Sequence, residues 1–287
     1  MLVFSLCFLV LAAPYPEQTR EYFNQWIEND ELNRCVRDMA IESGLERMDA
    51  NDLMIDLLGT HRVPPLRTDV EYWKEKGFDL SAFLKRIRGL EGLPFFEKRS
   101  VSQENILLWM IPLKDPELSA WVIEFVLDQM KQPVKTEKDA SRMRELLIVL
   151  GHEGSDKALD ILFRVQSKEA WIEDPPVQVE LHRESPESHE AEIDYLRGAA
   201  LTGIAYSGTD RALHAFATGE GIADDIRAVH ESYFDSAAHA RVGIYDTLWA
   251  YRRGLEPGVE AELEAIYKKY GVEYRLKGYV TDPKIMF

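Results

Sequence analysis

Apolar residues recur along most of this chain at intervals of three or four, the spacing of helices that bury one face. From Glu17 to Glu42 this spacing predicts one helix, which Gly44 follows as a stop signal. Three further helices are predicted to begin at residues suited to capping, Asp49, Thr68 and Asp79. The first third of the chain is therefore expected to be helical without visible repetition.

From residue 100 onward the predicted helices follow one another in pairs, joined by short turns. Ser100 and Gln103 have the spacing of a capping box, and Asp115 and Pro116 suit the cap and first position of the next helix. This part of the chain is expected to form a series of helical hairpins.

Two of these hairpins align with each other at a constant offset of 54 residues, 141–163 with 195–217. Their turns read Gly-Ser-Asp-Lys-Ala-Leu at 154–159 and Gly-Thr-Asp-Arg-Ala-Leu at 208–213. A glycine tolerates the left-handed backbone that ends a helix, and the hydroxyl or the aspartate after it can cap the next one. Ala and Leu then begin a buried stripe with little bulk where two helices approach.

These turns resemble those of short HEAT-like repeats, a type also found in phycobilisome lyases, where Gly-Asp-Pro-Arg-Ala joins two helices. Neither copy has the proline, and Ser155 and Thr209 displace the pattern by one residue. The resemblance implies an all-α fold, an α-solenoid of about four hairpins over residues 100–271, preceded by an irregular helical region at 14–99. Handling of a tetrapyrrole, as in the lyases, rests on this resemblance alone.

A fourth hairpin is predicted near the end of the chain. Ala237 to Arg253 is rich in apolar residues, and a last helix should run from Val259 to Gly271. Residues 272–287 show no helical period, and Val272 to Leu276 alternates like a short strand, so this segment is expected to be a tail lying on the last repeat.

The offset of 54 residues exceeds the usual length of a helical repeat, roughly 33 to 47 residues. The excess corresponds to residues 168–188, where prolines stand among acidic side chains and predict a loop inserted between hairpins. Inserts on one face of stacked repeats often form part of a binding surface. The residues expected to bind a protein or peptide partner are Trp171, Glu173, Asp174, His182 and Glu184.

A metal-dependent hydrolase is the alternative, built on the polar cluster from His182 to Asp194. Imidazole and carboxylate groups bind zinc, and His182, His189 and Glu190 would be its ligands. Their spacing matches no helix-face arrangement such as His-Glu-x-x-His. No nucleophile elbow, phosphate loop or dinucleotide fingerprint appears, so no catalytic residue is assigned and no cofactor is expected.

The balance of charge narrows the classes of partner. Fifty acidic residues against 34 basic ones give a net charge of −16, which repels phosphate backbones and anionic lipid. Nucleic acid is therefore excluded as an expected partner. The acidity serves solubility or attracts a cationic partner.

The N-terminal residues 1–13 are uncharged and end in Ala12 and Ala13, like the apolar core and cleavage site of a signal peptide. No Lys or Arg precedes them, which departs from the usual signal. We therefore expect the protein to be exported, either to the periplasm or by secretion, with no membrane span after cleavage. Cys35 would then be the one cysteine of the cleaved chain. The alternative is an ordinary core segment or an uncleaved anchor, and the protein is cytoplasmic if the segment is not a signal.

Overall fold

The computed structural model describes residues 17–58, 67–88, 106–225, 230–245 and 258–274. Three sequence-based predictions fall outside these ranges, namely the signal segment at 1–13, the capping box at Ser100, and the tail beyond residue 274. In the described ranges the chain is helical and contains no strand, which confirms the all-α prediction.

Thirteen α-helices and one 3-10 turn have bounds within the described chain. They are α1 (Glu17–Asn29), α2 (Glu31–Glu42), α3 (Arg47–Leu58), α4 (Arg67–Glu75), α5 (Leu80–Arg88), the 3-10 turn (Ile111–Leu113), α6 (Pro116–Met130), α7 (Glu137–Glu153), α8 (Asp156–Gln166), α9 (Lys168–Glu173), α10 (Pro186–Tyr206), α11 (Asp210–Thr218), α12 (His230–Arg241) and α13 (Val259–Tyr270). None of the described helices combines the length and apolarity needed to cross a bilayer.

The chain divides into two compact units, residues 1–118 and 119–287. The division falls within the first turn of α6. In the first unit, α1, α2 and α3 pack against one another, and α4 packs against α5. Asp56 joins two tryptophans of this unit, because Trp73 Nε1 donates to its Oδ2 at 3.0 Å and Trp109 Nε1 donates to its carbonyl at 2.9 Å.

The predicted helix starts in the first unit are only partly correct. The stretch 17–42 is two helices, because Asp30 adopts an extended backbone and its Oδ1 accepts from Asn33 N at 3.0 Å, which starts α2. Helices α3 and α4 begin before Asp49 and Thr68, so neither residue is a cap. Asp79 does cap α5, since its Oδ1 accepts from Ala82 N at 2.9 Å.

Asp115 caps α6 as predicted. Its Oδ1 accepts from Glu117 N at 2.9 Å and from Leu118 N at 3.3 Å. Lys85 Nζ lies 2.6 Å from its Oδ2, and this bond lowers the pKa of Asp115 to about 2. The aspartate therefore stays ionised at the positive end of the helix.

The two aligned turns of the second unit have the predicted geometry. Gly154 and Gly208 adopt φ of +70° and +56°, in the left-handed region. Ser155 Oγ accepts from Ala158 N at 3.3 Å, and Thr209 Oγ1 accepts from Ala212 N at 3.2 Å. The hydroxyl, and not the aspartate that follows it, is the cap in both copies.

Successive hairpins of the second unit pack through their longer helices. Helix α10 packs against α7 and α8 of the preceding hairpin, and also against α12, while α11 packs against α12. At the closest crossing of α7 and α10, a Cβ added to Gly151 would lie 2.0 Å from the carbonyl oxygen of Gly203. The two backbones meet there with no room for a side chain.

A buried arginine ties the same hairpins together. Arg197 Nε donates to the carbonyl of Gln166 at 3.0 Å, and its two terminal nitrogens donate to Asp225 at 2.8 and 2.7 Å. The bond to Arg197 lowers the pKa of Asp225. Gln166 also donates to the carbonyl of Gly221 at 2.7 Å, so the end of α8 is fixed to the segment after α11.

The apolar stretch from Ala237 to Arg253, predicted to open the fourth hairpin, does not start a helix at Ala237, and its residues 246–253 lie outside the described ranges. Helix α12 begins seven residues earlier, at His230, and ends at Arg241. Gly243 then adopts φ +79°, which turns the chain. The last helix ends as predicted at Gly271, whose φ is +70°.

The glycine crossing predicts the result of one substitution. Gly151→Ala should lower the free energy of unfolding by about 3 kcal/mol, because the new methyl group meets backbone that cannot move aside. Gly198→Ala is the matched control on α10, where an added Cβ meets nothing within 4 Å. The control should be neutral or stabilising by about 0.5 to 1 kcal/mol. Urea unfolding followed by circular dichroism compares the two, and equal losses would contradict the close crossing.

Candidate partner-binding site

The insert is more ordered than a loop, which corrects the prediction for residues 168–188. Ser167 Oγ accepts from Ala170 N at 3.4 Å and caps the six-residue helix α9. Pro186 occupies the first turn of α10, where its missing N–H costs nothing. Only residues 174–185 connect the two helices.

A short β-type contact anchors this connecting segment. Val134, in the link between α6 and α7, forms an isolated parallel bridge with Val179. Val134 N donates to the carbonyl of Gln178 at 2.8 Å, and Glu180 N donates to the carbonyl of Val134 at 2.8 Å. The side chains of Val134, Val177 and Val179 are buried. Buried apolar area and paired backbone groups thus hold the insert against the hairpins.

A pocket of about 440 Å³ opens where the anchored insert meets α6 and α8. Five of its lining residues are apolar and come from three separate parts of the chain. They are Leu127, Met130, Ile161, Pro175 and Pro176. Ligand sites of this kind combine an apolar lining with a few polar groups that orient the ligand.

Polar groups stand around the pocket in neutralised pairs. Arg164 donates through Nη2 to the carboxylate of Asp174 and, at 3.1 Å, to its carbonyl. Lys131 Nζ donates to Asp128 Oδ1 at 2.6 Å. Gln178 completes the polar lining. The pocket therefore offers apolar contact and hydrogen bonds without a strong net charge.

The five residues predicted to bind a partner lie at different depths in this region. Asp174 lines the pocket, and Glu173 beside it is exposed. Trp171 is half-buried, and its Nε1 donates to the carbonyl of Val165 at 2.7 Å, so it also fixes α9. His182 contacts Glu137 at 3.1 Å, and Glu184 is exposed on the turn that follows.

The three residues predicted as metal ligands each have a different partner. His182 Nε2 lies 3.1 Å from Glu137, His189 Nδ1 lies 2.9 Å from the carbonyl of Leu181, and Glu190 lies 3.9 Å from Lys168 Nζ. No group of three or more His, Cys, Asp or Glu side chains suited to a metal occurs in the described part of the chain. The hydrolase alternative therefore has no ligand set among those residues.

Sequence reasoning missed the apolar half of the pocket. The sequence does not distinguish Leu127, Met130 and Ile161 from ordinary buried residues of amphipathic helices. Only the folded insert shows that they border an opening. The double proline at 175 and 176 was a usable signal, because such a pair resists both helix and sheet and leaves an apolar surface.

Comparisons with protein-family models, with curated proteins and with solved structures found no match to this chain.

The bridge predicts how the insert responds to one substitution. Val179→Asp should release the segment 174–185, because an unpaired carboxylate cannot stay buried beside Val134. Trypsin should then cut after Arg183 at least about tenfold faster, while the helical circular dichroism is retained. Ile172→Asp, the same kind of change at an exposed position of α9, is the control and should leave the rate unchanged. An unaltered rate in Val179→Asp would show that the bridge does not anchor the insert.

Proposed function

We propose that this protein is a non-enzymatic scaffold that binds a protein or peptide partner at the pocket between α6, α8 and the insert. The observation that carries the proposal is the pocket itself, since its apolar lining is assembled from separate segments and held open by an anchored insert. A bulky apolar side chain of the partner would fill it. Asp174 and Gln178 are placed to hydrogen-bond the partner's backbone.

The hairpin packing supports the same proposal. Helices α7, α10 and α12 pack in sequence, each against the next, as the first helices of stacked repeats do. In the proposed solenoid of HEAT-like hairpins, an insert between two repeats projects on one face and adds to the binding surface. The absence of a metal-ligand cluster in the described chain leaves no observation that favours the hydrolase.

The proposed place of action is outside the cytoplasm. Its support is the apolar segment at residues 1–13 with its small residues Ala12 and Ala13, which has the pattern of a signal peptide. A partner encountered after export would then be another exported protein or its peptide segment.

Peptide selection tests the proposed function. Peptides selected from a displayed random library on the purified protein should carry a bulky apolar residue. Ile161→Glu should weaken their binding at least about tenfold, because a buried charge replaces the apolar contact. Fluorescence anisotropy with labelled peptides measures the dissociation constants.

Ile41→Glu is the matched control, since Ile41 is exposed and belongs to the first unit. It should leave the affinity unchanged. Circular dichroism confirms that both variants stay folded. If the selected peptides bind Ile161→Glu as tightly as the original protein, the pocket is not the binding site and the proposal fails.

A further inference from the structure

A buried histidine lies where three segments of the second unit meet. His152, near the end of α7, is only 7% exposed. Its ring centroid lies 5.1 Å from that of Tyr206 at the end of α10, and 4.6 Å from that of Tyr245 after α12. The two tyrosines also contact each other, with their centroids 5.7 Å apart. The three rings form one cluster, here called the aromatic junction.

The repeat explains why these rings meet. His152 and Tyr206 are separated by the same 54 residues as the two matched turns, so they occupy equivalent positions in successive hairpins. His152 lies two residues before Gly154, and Tyr206 lies two residues before Gly208. These glycines end the first helix of each hairpin. Stacked repeats bring equivalent positions side by side, which builds a ladder of rings.

The His152 ring makes no hydrogen bond through either nitrogen with any described residue. Such an orphaned polar group in the core calls for an explanation, because most buried imidazoles find a partner. The carbonyl oxygen of Gly203, which lies against Gly151 one residue earlier, accepts from Ser207 N at 3.1 Å and not from the imidazole. The ring is therefore held by packing alone, in its neutral form.

The charged groups around the aromatic junction are engaged elsewhere. Glu153, next to His152 on α7, accepts from Ser119 and from Ser155. Arg241, at the end of α12, donates to the carbonyl of Gly208 at 3.0 Å and to Asp210 at 3.4 Å. The groups that face the imidazole from α10 and from the turn after α12 are the Tyr206 and Tyr245 rings, and no carboxylate of the described chain pairs with it.

We propose that His152 is an acid-sensitive latch. The three segments stay together while the imidazole is neutral, and acid favours their separation because the ring takes up a proton only when the junction opens. An imidazolium in this position would lose its hydration without gaining a carboxylate, and attraction to the faces of the tyrosine rings would replace only part of that loss. The protonated ring is accommodated only where water can reach it, in the opened junction.

The direction of the pH dependence follows from burial. Burial lowers the pKa of His152 to about 3, whereas the unfolded chain has the ordinary value of 6.5. Below pH 6.5 the unfolded state therefore binds the proton and the folded state does not, so stability is lost as the pH falls. From this residue the unfolding equilibrium constant should rise about fivefold between pH 6.5 and 5.5, and the rise should approach about tenfold per pH unit at lower pH.

Urea unfolding at pH 7.5, 6.5, 5.5 and 5.0 tests the latch with the full chain. His152→Phe keeps a ring of similar size at the junction, and it should lose the roughly fivefold rise in the unfolding constant between pH 6.5 and 5.5. His214→Gln changes an exposed histidine and should keep the original dependence. His239, whose pKa burial also lowers, contributes equally to all three proteins and cancels in the comparison. Parallel curves for the original protein and His152→Phe would overturn the proposal.

A second measurement applies if His152→Phe does not fold. Nuclear magnetic resonance of the histidine rings in the unaltered protein follows the His152 imidazole, assigned through its contacts with the Tyr206 ring. The proposal expects this ring to remain neutral at pH 5 in the folded protein. Protonation of the folded-state ring near pH 6.5 would overturn it.

Discussion

The close crossing of α7 and α10 is the constraint on which the second unit depends. Two backbones can approach to the distance seen at Gly151 and Gly203 only if neither residue has a side chain. That approach sets the spacing of the two hairpins. It also brings the end of α8 to Arg197 on α10, whose guanidinium closes a buried network with Gln166 and Asp225.

The insert lies between α8 and α10, two helices whose packing depends on this crossing. It leaves α8 through the short helix α9, extends along the link before α7, and returns as α10, so both of its ends are fixed by helices. The bridge from Val134 to Val179 is a single residue pair, and such a contact is stable only because its valines are buried. A loop anchored in this way can form one side of a pocket, whereas an acidic loop without the bridge would not keep a fixed position.

The sequence predicted what depends on local chemistry. The turns at Gly154 and Gly208 were predictable because a left-handed glycine and a capping hydroxyl act within six residues. The break at Asp30 was missed because the apolar spacing continues through it, and the early starts of α3 and α4 were missed because a capping residue can also lie inside a helix. The stop of α12 was missed because the apolar residues after Arg241 imitate a helical stripe.

The candidate site could not be predicted in full, because its lining comes from contacts between distant segments that no local sequence pattern shows. Prolines and acidic residues indicated an insert, and Asp174 was named from that pattern, but the apolar wall comes from α6 and α8, far along the chain. The aromatic junction illustrates the same limit. The alignment at an offset of 54 residues places His152 opposite Tyr206, yet only the packed helices show that the imidazole lacks a hydrogen-bonding partner.

Hydrogen exchange of the native protein tests the central claim, that α7 and α10 form one cooperative core through their glycine crossing. Amides of Leu147 to Leu150 and of Leu201 to Ala205 should be the slowest of the second unit to exchange and should share one free energy of opening. Exchange of α10 at a clearly lower free energy than α7 would show that the helices open separately, and would contradict this account of the fold.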